Sequence, residues 1–237
     1  MTDNSISSKP RTDTSSGLKI IFTAIGLCVL CTWTAVQAAA PLFKSETAVV
    51  FTPRAPVTVA TVQRPPVPVW VAAARTQIGV TNSYDPAYVV LSYPGGDVAE
   101  DRGVCTDVVV RALRAQGLDL QRTIHEDMRA NFRGYPQLWG LKQPDRNIDH
   151  RRVPNQMHWF ERQGWKQPVT NDPNGYAAGD IVAWKLSGSG LLHVGIVSDR
   201  KTRNGTPLII HNIGAGTQEE DLLFRHTIIG HYRPLLR

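Results

Sequence analysis

The sequence predicts an α+β domain in which helices come first and an antiparallel sheet follows. Between residues 69 and 164, apolar residues recur at spacings of three and four, which is the period of helices with one buried face. From Gly179 onward, short apolar runs alternate with tight turns such as Asn204-Gly205. Strands joined by such turns pair antiparallel, so the second half is expected to form one sheet.

The first 38 residues have the features of an export signal. Lys9, Arg11 and Lys19 precede an apolar run over residues 20–36, and small residues up to Ala38 form a cleavage site. We predict a signal peptide over 1–38, with an uncleaved signal anchor as the alternative. The protein is then periplasmic or otherwise exported, and it meets a membrane only through this segment.

The net charge of +6 bears on partners. Outside the cytoplasm, acidic cell-wall polymer or anionic lipid headgroups suit a basic surface. No basic run with interleaved aromatic residues occurs, so nucleic acid is not expected as a partner.

Residues 39–68 are predicted to be a proline-rich linker, because prolines recur among Val, Thr and Ala. The folded domain then spans 69–237. Its first helix keeps helical spacing from Trp70 to a capping Gly79, and a loop with Tyr93 and Gly95-Gly96 follows. Because paired glycines let backbone approach a ligand closely, this loop is a candidate lining of a cleft.

The second helix begins at Cys105 and ends before Gly117, with Val108, Val109, Ala112 and Leu113 on its buried face. Cys105 is the only cysteine left once the export segment is removed. A thiol on the first turn of a helix lies at the positive end of the dipole, which favours the thiolate. The alternative is a small hydrophobic core residue.

Residues 118–175 are predicted to be a helical insertion. Leu120, Ile124, Met128 and Phe132 recur every four residues, and Pro154 opens a further helix that stops at Gly164.

A charged cluster over residues 144–152 separates these two helices. Arg151 and Arg152 are candidates for holding a substrate carboxylate with paired hydrogen bonds. The alternatives are a solvated loop, or an arginine clamped structurally by Asp145 or Asp149.

Two histidines on neighbouring predicted strands complete the candidate site. His193 lies within the apolar run 191–198, and His211 ends the strand that starts at Pro207. Antiparallel pairing across the Asn204-Gly205 turn brings the two histidines close, with a bulge or a longer loop absorbing the offset. No HxH or HExxH spacing occurs, so we expect neither a metal nor another cofactor.

Several segments resemble NlpC-type, papain-like cell-wall cysteine peptidases in content and order. They are Ala74 to Gly79, Gly95-Gly96, Gly179-Asp180-Ile181-Val182, His193-Val194-Gly195-Ile196 and Ile210-His211. The segments around Cys105 and over 147–152 resemble more closely the bacterial family called domain of unknown function 1287, a likeness that covers residues 69–237 and implies no activity. The chain departs from the NlpC type at Val104, at Thr106-Asp107 and in the long insertion.

The NlpC resemblance implies a papain-like fold with the nucleophile helix packed on an antiparallel sheet. It also implies Cys105 as nucleophile, His193 as base and His211, or else Asn212, as the residue that orients the base. The function expected is an exported cysteine amidase or endopeptidase acting on amide bonds of peptidoglycan stem peptides. The alternative is a non-catalytic module that binds the cell wall or its peptide fragments.

Overall fold

The structure is a computed structural model that describes residues 66–236. Within this range four α-helices occur, α1 (Val69–Thr76), α2 (Cys105–Arg114), α3 (Leu120–Asn131) and α4 (Val153–Arg162), with 3-10 helices at Phe132–Gly134, Asp149–Arg151 and Pro173–Gly175. None of these helices is long and apolar enough to cross a bilayer. The predicted signal segment and residues 39–65 of the predicted linker lie outside the described residues.

The strands form one small and one large sheet. β1 (Ser83–Tyr84) and β2 (Arg102–Gly103) pair in parallel. β3 (Ile181–Lys185), β4 (Leu192–Lys201), β5 (Pro207–Asn212), β6 (Thr217–Glu220) and β7 (Thr227–Tyr232) form a five-stranded sheet in the order β6-β5-β4-β3-β7, with every neighbouring pair antiparallel. The prediction of an α+β domain with an antiparallel sheet is confirmed.

Both faces of the large sheet are buried. Ala183, Val194 and Ile196 pack in one cluster with α2, while Val182 and Trp184 belong to a second cluster. Because side chains alternate along a strand, neighbouring residues enter different clusters. A strand buried on both faces is apolar throughout, which explains the unbroken run over 181–184.

Glycine ends α2 as the spacing predicted. Gly117 has a φ of 83°, and its N–H donates to the Arg114 carbonyl while the Leu118 N–H donates to the Leu113 carbonyl. This pattern satisfies carbonyls at the end of the helix, and only glycine adopts the left-handed conformation at little cost. The four predicted apolar positions of α2 are all buried, so the stripe drives the packing of the helix on the sheet.

The pairing of β4 with β5 is irregular, as expected from the offset between His193 and His211 in the sequence. The register shifts between Val197 and Lys201, which leaves Ile196 opposite Ile210. Gly195 makes the tight approach possible, because a Cβ there would lie 2.7 Å from Ile209 Cγ2 and 3.1 Å from His211 Cβ. The predicted bulge is confirmed, and it is the reason that His193 and His211 become neighbours.

We expect Gly195→Ala to lower the free energy of unfolding by about 1–3 kcal/mol, because the added methyl overpacks the β4–β5 interface. Chemical denaturation measures the change. Gly134→Ala is the control, since the nearest atom to a Cβ there is 3.9 Å away. Equal stability of the two variants would contradict the close approach at Gly195.

Candidate active site

Cys105 is the first residue of α2, and its thiol lies at the bottom of a groove of about 450 Å³. The residue is only 3% exposed. Five separate segments of the chain line the groove, and the lining includes Tyr84, Trp139, Arg152, Leu191 and Leu192. Cys105 is therefore a buried residue that nevertheless borders a cavity.

Asp107 and Arg151 hold the start of α2 in place. The Asp107 carboxylate accepts a hydrogen bond from the Val104 backbone N–H at 2.7 Å, which satisfies a donor ahead of the first turn. The same carboxylate forms a two-point ion pair with Arg151, at 2.8 Å and 2.9 Å. Both side chains are almost fully buried. The capping of this helix and the buried charge pair are thus one feature.

Two groups outside its own helix lie beside the Cys105 thiol. The Tyr84 hydroxyl and the Val194 backbone N–H are close enough to the sulfur to act as donors to its thiolate. Strand β4 pairs with β5 only from Ile196 onward, which leaves the Val194 N–H for the thiol. The sulfur thus lies beside the peptide bond that joins His193 to Val194.

Burial raises the pKa of the Cys105 thiol to about 11, and the Asp107 charge adds to the rise. The hydrogen bonds from Val194 and Tyr84 oppose it without reversing it. The prediction that the helix dipole would favour the thiolate is wrong for this structure. Desolvation raises the free energy of a fully enclosed thiolate by more than the dipole of one short helix lowers it.

His193 and His211 meet as the sequence predicted. Their Nε2 and Nδ1 atoms are 3.1 Å apart, and the rings meet edge to face. Burial lowers the pKa of His193 to about 3 and that of His211 to about 4. Both imidazoles are therefore neutral at pH 7, and one donates to the other.

The His193 ring and the thiol approach the same peptide from different sides. His193 lies opposite Trp184 in the β3–β4 register and contacts its ring, whereas α2 packs on the face of Val194. Within residues 66–236, no hydrogen bond joins the imidazole to Cys105. The structure brings the thiol to the backbone next to His193, and the ion pair expected between the two side chains is not formed.

Asn212 has a different role from the one considered for it. Its amide donates to the carbonyls of Gly103 and Ser83, at 3.0 Å and 3.2 Å. These bonds tie the end of β5 to the short β1–β2 pair beside Cys105. Of the two candidates for orienting His193, only His211 contacts it.

The two neighbouring arginines of the charged cluster differ in how much of their hydrogen-bonding capacity is used. Besides its bonds to Asp107, Arg151 donates to the carbonyls of Ala87 and Asp85. Within the described residues, the Arg152 guanidinium makes one hydrogen bond, to Asp149 at 3.1 Å, and it lies 4.0 Å from the centre of the Trp139 ring. Arg151 is therefore occupied structurally, by an acid that the sequence did not single out, and Arg152 is the arginine available in the groove.

Tyr93, Gly95 and Gly96 are not among the residues that line the groove. The N–H groups of Gly95 and Gly96 donate to the side chains of Asp119 and Gln121, at 2.8 Å and 2.9 Å. Tyr93 packs against His125. The paired glycines thus contact the start of α3 and do not face Cys105.

Sequence reasoning missed Tyr84, Asp107 and Trp139. Asp107 carried a usable signal, because an acidic residue at the third position of a helix often caps the N–H before it. Tyr84 and Trp139 lie in loop-rich stretches without periodicity. Among the described residues, no group of three or more His, Cys, Asp or Glu side chains is arranged to hold a metal ion.

The fold and site together define an α+β domain with a buried cysteine at a helix start and a histidine pair on the adjoining sheet. The chain belongs to the family described as domain of unknown function (DUF1287), whose model matches residues 71–234. The Escherichia coli (strain K12) protein described as uncharacterized protein YijF is 62% identical over 160 residues, which cover 68% of this chain and 78% of that protein. The predicted membership of the family is confirmed.

We expect Arg151→Ala to lower the free energy of unfolding by about 3–5 kcal/mol, because it leaves the buried Asp107 charge without its partner. Arg162→Ala is the control, since Arg162 holds Asp127 in the same two-point geometry on a more exposed surface, where loss of an ion pair changes stability little. Urea denaturation of both variants measures the difference. Comparable losses would show that burial of the Arg151 pair has no special weight.

We expect Cys105 to alkylate slowly at neutral pH. With a pKa of about 11, its thiolate fraction at pH 7 is on the order of 100-fold below that of free cysteine, whose pKa is about 8.5. The iodoacetamide rate, followed by mass spectrometry, should rise with pH up to about 11. Tyr84→Phe removes a donor to the sulfur and should shift that profile further upward. A midpoint below about pH 8 would contradict the burial effect.

Proposed function

We propose that this protein is a thiol-dependent hydrolase with a papain-like arrangement, acting on amide bonds of peptidoglycan stem peptides. The observation that carries the proposal is the position of the Cys105 thiol, which borders the groove at the start of α2 and lies beside the backbone N–H of Val194, the residue after His193. His193 in turn contacts His211 at 3.1 Å. A nucleophile, a base and an orienting group in this order are what covalent catalysis requires.

The reaction starts from a neutral pair, because burial favours the uncharged thiol and the uncharged imidazole. The Cys105 sulfur attacks the amide carbon, and the carbonyl oxygen becomes an oxyanion. The thiol proton passes to His193 through a bridging water, because no hydrogen bond joins the imidazole to Cys105 directly. Collapse breaks the C–N bond, and the amine leaves with the proton from His193. Water then hydrolyses the thioester, releasing a carboxylate and restoring the thiol.

Two donors beside the sulfur support stabilisation of the oxyanion. The Cys105 backbone N–H lies in the first turn of α2, where N–H groups have no carbonyl partner within the helix. The Tyr84 hydroxyl lies beside the sulfur, so it stands within reach of a group bonded to that sulfur. Donors fixed in place before the charge develops are the usual source of this stabilisation.

The assignment of the substrate draws on the groove and on the predicted export. Leu191 and Leu192 are exposed apolar walls, and Arg152 supplies a cation at the rim. Stem peptides of bacterial wall carry short side chains and free carboxylates, which match such a surface. The predicted signal segment would deliver the protein to the compartment that holds this polymer.

A second candidate function, a non-catalytic module that binds cell-wall peptides, is favoured by the state of the thiol. Its pKa is raised, and no hydrogen bond links it to the His193 ring. A module of this kind would use the same groove and need no proton transfer. Turnover separates the two functions.

The test is incubation of purified peptidoglycan fragments with wild type, Cys105→Ala and His193→Ala, followed by mass spectrometry. We expect wild type to release pairs of products whose summed mass exceeds that of the parent fragment by one water. Cys105→Ala should release none, because the nucleophile is gone, and His193→Ala should be slower by about 100-fold or more. Thermal unfolding establishes that the variants fold.

His125→Ala is the control, because His125 packs on Tyr93 away from the groove and should cleave at the wild-type rate. Cleavage by Cys105→Ala within a few-fold of wild type would rule out the nucleophile assignment. Retention of fragments by all four proteins without cleavage would favour the binding module.

A further inference from the structure

Arg152 lines the groove, and its guanidinium has N–H donors that its own hydrogen bond does not use. Its one hydrogen bond, through Nη1 to Asp149, leaves Nε and Nη2 without an acceptor within the described residues. The guanidinium is stacked over the Trp139 ring, which restricts its motion. A planar cation held flat with two free N–H directions matches a carboxylate, which accepts two parallel hydrogen bonds.

Asp149 approaches the same guanidinium from behind the groove. Its side chain is 1% exposed, whereas that of Arg152 is 16% exposed. Asp149 and Arg152 also line a separate small cavity, together with Met128 and Phe132. Arg152 therefore stands between a buried internal carboxylate and the open groove.

We propose that Arg152 selects ligands carrying a free carboxylate, and that Asp149 competes with that carboxylate for the guanidinium. With Asp149 ionised, the pair is neutral and an incoming carboxylate meets a second negative charge close behind the cation. With Asp149 protonated, the cation is uncompensated and binds the ligand more strongly. The inference rests on the proposed function only in taking the Cys105 groove as the substrate site.

The surroundings of Asp149 bring its change of protonation into a pH range in which binding can be measured. Burial raises its pKa to about 6, and the neighbouring Asp145 charge acts in the same direction, while Arg152 and the Asp145 backbone N–H oppose it. Tyr135 also interacts with the Asp149 carboxylate. Because a carboxylate ligand stays ionised down to about pH 4, affinity should rise as the pH falls from about 7 to about 5.

The test measures binding to the full chain carrying Cys105→Ala, so that no turnover intervenes. The probes are a synthetic alanine–glutamate–lysine tripeptide with free carboxylates and the same tripeptide with its carboxylates amidated. Calorimetric titration at about pH 5 and about pH 7.5 should show the free peptide binding at least about fivefold more tightly at the lower pH, the size of a modest coupling between sites. The amidated peptide should show no such change.

Two added substitutions isolate the roles of the pair. Asp149→Asn should make binding of the free peptide tight at both pH values, and Arg152→Gln should remove the preference for the free peptide. Equal affinities of the two peptides, or no binding of either, would overturn the role of Arg152. A pH dependence that persists in Asp149→Asn would overturn competition by Asp149. Cleavage is measured separately, in the wild type. If the hydrolase proposal fails, the binding results therefore still test the roles of Arg152 and Asp149.

Discussion

The buried ion pair between Asp107 and Arg151 is the interaction on which the candidate site depends. It caps the N–H ahead of α2, and it ties down the loop at Asp85 and Ala87 through carbonyl acceptors. Three segments far apart in the chain therefore share one charged contact. Taking both charges out of water is costly, and the hydrogen bonds that surround them offset that cost. The position of Cys105 at the bottom of the groove follows from this arrangement.

The chemistry of the site is decided by a competition between burial and polar contacts. A helix dipole contributes up to about 2 kcal/mol in partly buried settings, and a shift of one pKa unit corresponds to about 1.4 kcal/mol. Enclosure of Cys105 raises the pKa to about 11 despite donors from Tyr84 and Val194. The same enclosure keeps His193 and His211 neutral. The thiol and the two imidazoles are therefore uncharged, and a reaction between them has to create charge only as bonds change.

Much of the fold could be predicted because its helices and strands follow from the local periodicity of apolar residues. The apolar stripe of α2 and its glycine end required no knowledge of neighbours, and the run over 181–184 reads as a strand by itself. The strand β6 was not predicted. Its residues, Thr217 to Glu220, are polar, and they are held by backbone pairing with β5 at the edge of the sheet and by the ion pair of Glu219 with Arg75. A strand without an apolar pattern leaves no trace in the sequence that periodicity detects.

The sequence by itself determined that one cysteine opens a buried helix, that two histidines occupy adjoining strands, and that the chain resembles a particular family. Local spacing and residue type suffice for each of these. Only the tertiary structure decided that Arg151 pairs with Asp107 while Arg152 faces the groove. The two residues differ because successive residues at the end of a 3-10 helix point in different directions. Likewise, only folding brought the Tyr84 hydroxyl to the thiol and enclosed that thiol enough to raise its pKa. Contacts between distant segments and exclusion of water are properties of the packed chain, and no stretch of sequence carries them alone.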